Sequence, residues 1–336
     1  MRLTTLNSSV AVCTPRIHVV PVSARRSFST SRTRPSQERG HASDPRFSKL
    51  GNLIEDNFAD IRENYQTPKN TIVLAHGLLG FDEIRLAGSF FPPIQYWHGI
   101  KDALSMKGIK VITATVPPYG SIESRAHGLS KYIAAEAKGH DVNIIAHSMR
   151  GLDSRYMISK LRPTEFTVRS LTTIATPHRG SVIADHFMKH VDTNVARLRR
   201  LSKSIDRIQF DAKAFSQLTR KYLQEEFNPN VLDVEDVRYF SYGAMFQPGL
   251  FNIFRPFHQL LEEVEGPNDG LVSVASSKWG GEASYKGTLV GVSHMDLINW
   301  TNRIEWLVGE LTGKKRRFNA IAFYLDIADM LAKEGM

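Results

Sequence analysis

Hydrophobic positions along the chain follow two alternating rhythms. Short runs rich in apolar and β-branched residues stand at Thr71–Ala75, Lys110–Val116, Val142–Ala146, Arg169–Ala175, Val237–Tyr242 and Gly287–Val292. Their length, and the glycine, proline, serine or histidine that flanks them, predict buried strands. Between them lie longer stretches whose apolar positions recur every third or fourth residue, the period of a helix with one buried face. This pattern covers Tyr96–Lys107, Ile122–Lys138, which Gly139 ends, and Gly151–Leu161. It also predicts closing helices at 296–312 and 317–333. A lead-in helix is predicted from Leu50, on Leu53, Ile54, Phe58 and Ile61. Strands alternating with helices imply βαβ units, so the fold class is α/β: a mostly parallel central sheet with helices on both faces.

The rhythm breaks between Ser181 and Asn230. That segment is helix-prone, with Leu198, Leu201, Ile205, Ile208, Phe215, Leu218, Tyr222 and Phe227, and it carries Arg197, Arg199 and Arg200. An amphipathic insertion above the carboxyl edge of a sheet is where a lid would sit. Two packed helices with solvated arginines are the alternative. The catalytic domain is accordingly drawn over 50–336, with a helical lid insertion at about 181–230.

Composition changes this picture at the N-terminus alone. The 336 residues, 42% hydrophobic and 10% aromatic, suit one catalytic domain with a large core. The net charge of +9 at first suggests a nucleic-acid partner, but six arginines (2, 16, 25, 26, 32 and 34) precede the first acidic residue, Glu38. Taking those six from 43 leaves 37 basic residues against 34 acidic, a net of +3, so no nucleic-acid partner is expected. Residues 1–37 are arginine-, serine- and threonine-rich, acid-free and lysine-free, the signature of a mitochondrial transit peptide. Arg26-Ser27-Phe28-Ser29 is similar to fungal mitochondrial processing sites and predicts a mature start near Ser29. A secretory signal fits less well, because His18 and Pro21 interrupt the apolar stretch. Cys13, the single cysteine, would leave with the presequence, and a mature chain without disulfides fits a reducing compartment. No apolar run reaches the ~18 residues of a transmembrane helix. Peripheral contact with a membrane or lipid-droplet surface is the form a membrane association would take. The last helix, with Ile321, Phe323, Tyr324, Ile327 and Leu331 after Lys314-Lys315-Arg316-Arg317, either touches such a surface or docks on the domain.

The chemistry begins at Val142–Tyr156. A strand ends at Ala146-His147-Ser148-Met149 and a helix follows at once, which is the context of a nucleophile elbow. Such a turn projects the serine hydroxyl from the carboxyl end of a strand, with a helix N-terminus behind it that favours negative charge. Small residues are wanted two before and two after the serine. Ala146 meets the first requirement, Arg150 departs from the second, and Gly151 stands one position later. Ser148 as an ordinary helix N-cap is the alternative. Upstream, the strand 71–75 runs into His76-Gly77-Leu78-Leu79-Gly80, a loop suited to turning a main-chain N–H, that of Leu78, towards an oxyanion.

A serine hydroxyl needs an imidazole base, itself oriented by a carboxylate. His258 and His294 are the histidines far enough downstream. His294 fits better, because it follows a strand and comes after Asp269, which sits in a Gly/Pro/Asn loop. Asp233 and Asp236 precede their strand and would face the wrong end of the sheet. His76, His147 and His178 lie in motif turns and are read as structural hydrogen-bonders.

H-G-L-L-G at 76–80, Y-W-H-G-I at 96–100, A-H-S-M-R-G-L-D-S-R-Y at 146–156 and T-P-H-R-G at 176–180 are followed by F-S-Y-G at 240–243, N-D-G-L-V-S at 268–273 and S-H-M-D-L-I-N at 293–299. From about Asn70 to Trp306 this ordered set resembles the α/β-hydrolase lipases of the Pseudomonas and Burkholderia group. It resembles still more closely the fungal mitochondrial triacylglycerol lipases related to them. The resemblance implies an α/β-hydrolase fold, Ser148 as nucleophile with Asp269 and His294, and the N–H groups of Leu78 and Met149 as the oxyanion hole. It implies a serine esterase or lipase acting on a lipid ester substrate, glycerolipid acyl esters, with no cofactor. The bacterial relatives also hold a structural calcium, with an Asp at the position of Asp296. Their second ligand Asp has no counterpart here, so no metal is expected and Asp296 is read as bonding its own loop. Other readings are a phospholipase, thioesterase or acyltransferase of the same fold, or an inactive fold that binds lipid or a partner, for which Arg150 is the motive.

Overall fold

The computed structural model describes residues 50–77, 83–84, 94–116, 120–190, 212–249, 252, 254–281, 283–300 and 318–336. Its frame is a seven-stranded, wholly parallel sheet in the order β1-β9-β8-β7-β6-β2-β5. The strands are β1 (Leu53–Ile54), β2 (Thr71–Ala75), β5 (Val111–Ala114), β6 (Val142–His147), β7 (Val168–Ile174), β8 (Arg238–Met245) and β9 (Tyr285–Val290). A two-residue antiparallel ribbon, β3 (Glu83–Ile84) with β4 (Ile94–Gln95), stands apart from it.

Alternation along the central strands explains why both faces are covered. In β2, Ile72 and Leu74 join one apolar layer while Val73 and Ala75 join the other, and in β6 Ile145 opposes Ile144 and Ala146. The first layer is closed by α1 (Ile100–Met106) and by the terminal helix Ala320–Lys333, the second by α2 (Ile122–Ala137) and the turns after α3 (Arg150–Tyr156). Ser121 caps α2 by accepting from Ser124 N–H. The terminal helix buries Phe323, Tyr324, Ile327 and Leu331. Of its two predicted roles it takes the docked one, because its apolar face is already used against the sheet.

Three expectations are corrected. The lead-in helix from Leu50 is not formed: Leu53 and Ile54 instead make β1, the edge strand paired with Thr288 and Leu289. Gly51 sits at φ +71, and the Asn52 carbonyl accepts from Thr288 N–H, so ladder hydrogen bonds replace the helical turn. The helix predicted from Tyr96 begins only at Ile100, because Gly99 is left-handed and Tyr96 and Trp97 turn into the core. After His294 the chain forms a single 3₁₀ turn, Asp296–Ile298, up to Trp300; the rest of the helix predicted at 296–312 lies outside the described residues. The lid insertion is described as α4 (Val182–Lys189), α5 (Ala212–Ser216) and a wide turn at Tyr222–Phe227. Its central part and the proposed presequence, 1–37, are likewise outside the described residues.

Candidate active site

The carboxyl ends of β6, β8 and β9 carry the candidate residues. After His147 the chain reverses at Ser148, a non-glycine residue held at φ +59, a conformation that persists only when its surroundings enforce it. Here they do: Ser148 N–H donates to the Ile174 carbonyl (2.9 Å), and its own carbonyl accepts from Thr176 Oγ1 (2.7 Å) and Gly151 N–H (3.1 Å). Two glycines make room. A Cβ on Gly77 would lie 2.7 Å from Ser148 Cβ, and one on Gly151 would meet the Thr176 side chain, with Cγ2 at 2.6 Å. Gly151 therefore provides the close approach that the departure at Arg150 left to be met. The Arg150 side chain is buried below the turn, donating from Nη1 to Asp153 Oδ2 (2.6 Å) and from Nη2 to the Val116 carbonyl (2.8 Å).

His294 and Asp269 meet across the loops after β9 and β8. His294 Nδ1 lies 2.7 Å from Asp269 Oδ2, and His294 N–H donates to the Asp269 carbonyl (2.9 Å). Both side chains are buried. The other carboxylate oxygen, Oδ1, accepts from the N–H groups of Leu271 (3.0 Å) and Val272 (2.8 Å), so the loop holds the acid in one orientation. Gly270, at φ +98, allows that turn. An Nδ1–H donated to Asp269 leaves Nε2 as the acceptor, which is the nitrogen a serine base uses. Ser148 and His294 line one cavity of 140 Å³ with Met149, Pro177, Ile183, Ala184, Phe215, Leu218, Phe254, Leu271, Val272 and Met295. Its walls are overwhelmingly apolar, with Tyr96, His147 and Ser181 as the other polar-bearing residues of the lining.

Tyr96 and His147 tie these loops together. The Tyr96 hydroxyl accepts from Gly77 N–H (2.7 Å) and lies 2.7 Å from His147 Nδ1, and the His147 ring sits 4.5 Å from that of His294. Burial, and then the proximity of His294, push His147 well below the usual imidazole range, so it is neutral at pH 7. His178 is similarly depressed by burial; its Nε2 bonds Thr173 Oγ1 (3.0 Å) and its ring stacks on Trp279. Both make structural hydrogen bonds. His258 points elsewhere, with Nε2 2.8 Å from the Phe246 carbonyl, and Asp233 accepts from Trp279 Nε1. Of the two N–H groups implied for the oxyanion, Met149 lines the cavity, while Leu78 lies outside the described residues.

The donor set near Asp296 does not fit a calcium ion. Asp296 Oδ2 accepts from Ser293 N–H (3.0 Å) and Ser293 Oγ (2.7 Å), closing its own turn. The acids that precede Asn268 are engaged elsewhere: Glu265 accepts from Val182 N–H and Ser273 Oγ, and Glu262 faces Asn268. Among the described residues no three His, Cys, Asp or Glu converge. Sequence reasoning missed the roles of Tyr96 and of the Arg125–Asp153–Arg150 cluster. The first lay in a quoted motif, and the Arg150/Asp153 spacing of three on a helix is a legible pairing signal.

Residues 124–225 match the family described as PGAP1-like alpha/beta domain. Over 333 residues, 86% of this chain and 98% of the relative, the sequence is 37% identical to Triacylglycerol lipase 2 of Saccharomyces cerevisiae. It is 36% identical to a triacylglycerol lipase of Burkholderia plantarii over 129 residues, 37% of this chain and 34% of that one. The fold is shared with Staphylococcus hyicus lipase (TM-score 0.58, 19% identity, 81% of this chain and 98% of that one). It is shared equally with lipase 1 of Pelosinus fermentans (TM-score 0.57, 18% identity, 79% and 99%). With more than a third of its positions identical along nearly the whole yeast protein, this chain belongs to the triacylglycerol lipases, carboxylic ester hydrolases of the α/β-hydrolase fold.

Proposed function

We propose that this hydrolase cleaves glycerolipid acyl esters, of triacylglycerol or diacylglycerol, with Ser148 as nucleophile, His294 as base and Asp269 as its orienting acid. The observation that carries the reading is the opening of Ser148 and of His294, held by Asp269, onto one apolar cavity, and the name of the yeast relative supports the lipid class. His294 Nε2 takes the Ser148 proton as Oγ attacks the ester carbonyl. The oxyanion is met by the N–H groups of Met149 and Leu78, with the N-terminus of α3 behind them. His294 then protonates the departing glyceride alkoxide, and water repeats the cycle on the acyl-enzyme. Arg150 does not argue for an inactive fold, because its side chain lies below the elbow rather than in it.

A 140 Å³ cavity is small for a glycerolipid. Ile183, Ala184, Phe215 and Leu218, which line it, all come from the insertion, and this supports the insertion as a lid that shifts to admit a long acyl chain. The enzyme works at a membrane or lipid-droplet surface in mitochondria, a location supported by the acid-free, arginine-rich residues 1–37. The substrate reading is tested by comparing hydrolysis of triacylglycerol, diacylglycerol, phospholipid and thioester by the purified protein. The neutral glycerolipids are expected to be turned over fastest, and preference for phospholipid or thioester would replace this substrate by that one. A reporter fused to residues 1–37 should enter mitochondria and be shortened; a cytosolic or secreted reporter would refute the location.

A further inference from the structure

Three parts of the cavity wall meet at one carboxylate. Ile183 and Ala184 lie in the first turn of α4, Phe254 stands immediately before helix α6 (Arg255–Val264), and Leu271 and Val272 belong to the loop of Asp269. Glu265 follows α6 directly, with its backbone N–H on the Leu261 carbonyl (2.7 Å). Its Oε1 accepts from Val182 N–H (3.0 Å), at the first residue of α4, and its Oε2 accepts from Ser273 Oγ. Ser273 also accepts from Ser276 N–H (3.1 Å) and so caps the helical turn Val274–Ser277 after the Asp269 loop. A carboxylate at this place meets the positive end of α4 as well as its first N–H.

The triad acid is held without this carboxylate. Asp269 has the N–H groups of Leu271 and Val272 on Oδ1 and His294 Nδ1 on Oδ2. Its own N–H donates to the Val272 carbonyl (3.1 Å), and its carbonyl accepts from His294 N–H. The first turn of α4 is placed differently. Arg220 donates to Asp185 from its N–H (3.0 Å) and Nε (2.5 Å), and Ser181 N–H donates to the Leu218 carbonyl (3.0 Å). Those bonds join the two arms of the insertion to each other. The bonds from Val182 N–H to Glu265 and from Ser181 Oγ to the Leu271 carbonyl (3.3 Å) join α4 to the Asp269 side. Loss of the Glu265 carboxylate therefore falls on Ile183 and Ala184 more than on the triad.

We propose that Glu265 is a positioning residue that sets acyl-chain selectivity: by holding the first turn of α4 against the Asp269 loop, it fixes Ile183 and Ala184 where the acyl chain packs. This rests on the reading of the cavity as the acyl site of Ser148. The first turn of α4 is thereby the fixed root of the lid. Glu265 touches neither the ester nor a reacting atom; it works through α4. A displaced apolar wall loses contact with every carbon that reaches it, so the penalty grows with chain length.

The test measures kcat and KM on p-nitrophenyl acetate, butyrate and octanoate, with melting temperature in parallel. In Glu265→Ala the ratio of kcat/KM on octanoate to that on acetate should fall about tenfold, chiefly through KM. Glu265→Gln, whose amide oxygen still accepts from Val182 N–H, should keep most of the ratio. Val182→Pro removes the same bond from the donor side, at a first helical position where proline is accommodated, and should repeat the fall. If Glu265→Ala does not fold, Val182→Pro against Glu265→Gln decides. Equal losses on all three esters, an unchanged or raised ratio in the folded variants that lack the bond, or a Gln variant as impaired as Ala would overturn the proposal. Ile183→Ala, which alters the wall itself, is run beside them. If it leaves the ratio at the wild-type value, the cavity is not the acyl site, and this inference falls with that reading. If it changes the ratio while Glu265→Ala does not, only the role of Glu265 falls.

Discussion

Replacing Gly151 by alanine puts one methyl group where the structure has no room. Its carbon would lie 2.6 Å from Thr176 Cγ2 and 2.9 Å from Thr176 Cβ, with Oγ1 nearer still. Thr176 is fully buried, and its hydroxyl holds the Ser148 carbonyl at 2.7 Å, so it cannot yield without pulling on the elbow. Overpacking of this kind costs about 1–3 kcal/mol, and losing the Thr176 hydrogen bond adds about 1 kcal/mol. Alanine's better helix propensity returns about 1 kcal/mol. The net loss is about 1–3 kcal/mol, which at roughly 2–4 °C per kcal/mol lowers the melting temperature by about 2–12 °C. Because Ser148 is displaced with Thr176, kcat on a short-chain ester should fall at least about tenfold. Calorimetry and steady-state kinetics read both effects. In a Thr176→Ala background, where Oγ1 and Cγ2 are gone, the same substitution should cost clearly less. A Gly151→Ala protein as stable and as active as wild type would refute the packing argument, as would equal losses in the two backgrounds.

Asp269→Asn should lower kcat by about 10⁴ with a near-normal melting temperature, because the amide no longer holds His294 in the acceptor tautomer. At the terminal helix, burial alone would raise the Asp329 pKa, but bonds from Gln66 N–H, Lys333 and Arg62 hold it at about 2. A depressed folded-state pKa stabilises the protein above the ordinary carboxylate range and is lost as pH falls towards 2. Asp329→Asn should therefore lower the melting temperature at pH 7, and its difference from wild type should shrink as pH drops from about 4 to about 2. EDTA should leave activity and melting temperature unchanged, whereas Asp296→Ala should impair kcat by loosening the turn before which His294 stands. Inactivation by EDTA with rescue by calcium would contradict the first of these.

Much of the sheet was legible because its central strands are buried on both faces, so Thr71–Ala75 and Val142–Ala146 read as short runs dominated by apolar residues. The elbow and the His294 loop were legible because each joins a turn signal directly to a strand, and Asp269 because it stands in a Gly/Pro/Asn turn. Leu53 and Ile54 misled for a physical reason. A two-residue edge strand has no period of its own, and with Phe58 and Ile61 it mimicked a helix, while its partner β9 lies more than two hundred residues away in sequence. The start of α1 was misplaced because Tyr96 and Trp97 are apolar for packing, not for helix periodicity. The Arg125–Asp153 bond left no sequence signal, since its residues are 28 apart. Arg150 looked like a defect until its side chain had a direction.

The central claim is that Ser148, activated by the His294–Asp269 pair, is the nucleophile. The most direct measurement is the reaction of the purified protein with a fluorophosphonate, followed by intact mass and peptide mapping. One adduct per chain is predicted, on the peptide that contains Ser148, with none in Ser148→Ala and much slower labelling in His294→Ala. An adduct on a different serine, or labelling of Ser148→Ala at the wild-type rate, would contradict it.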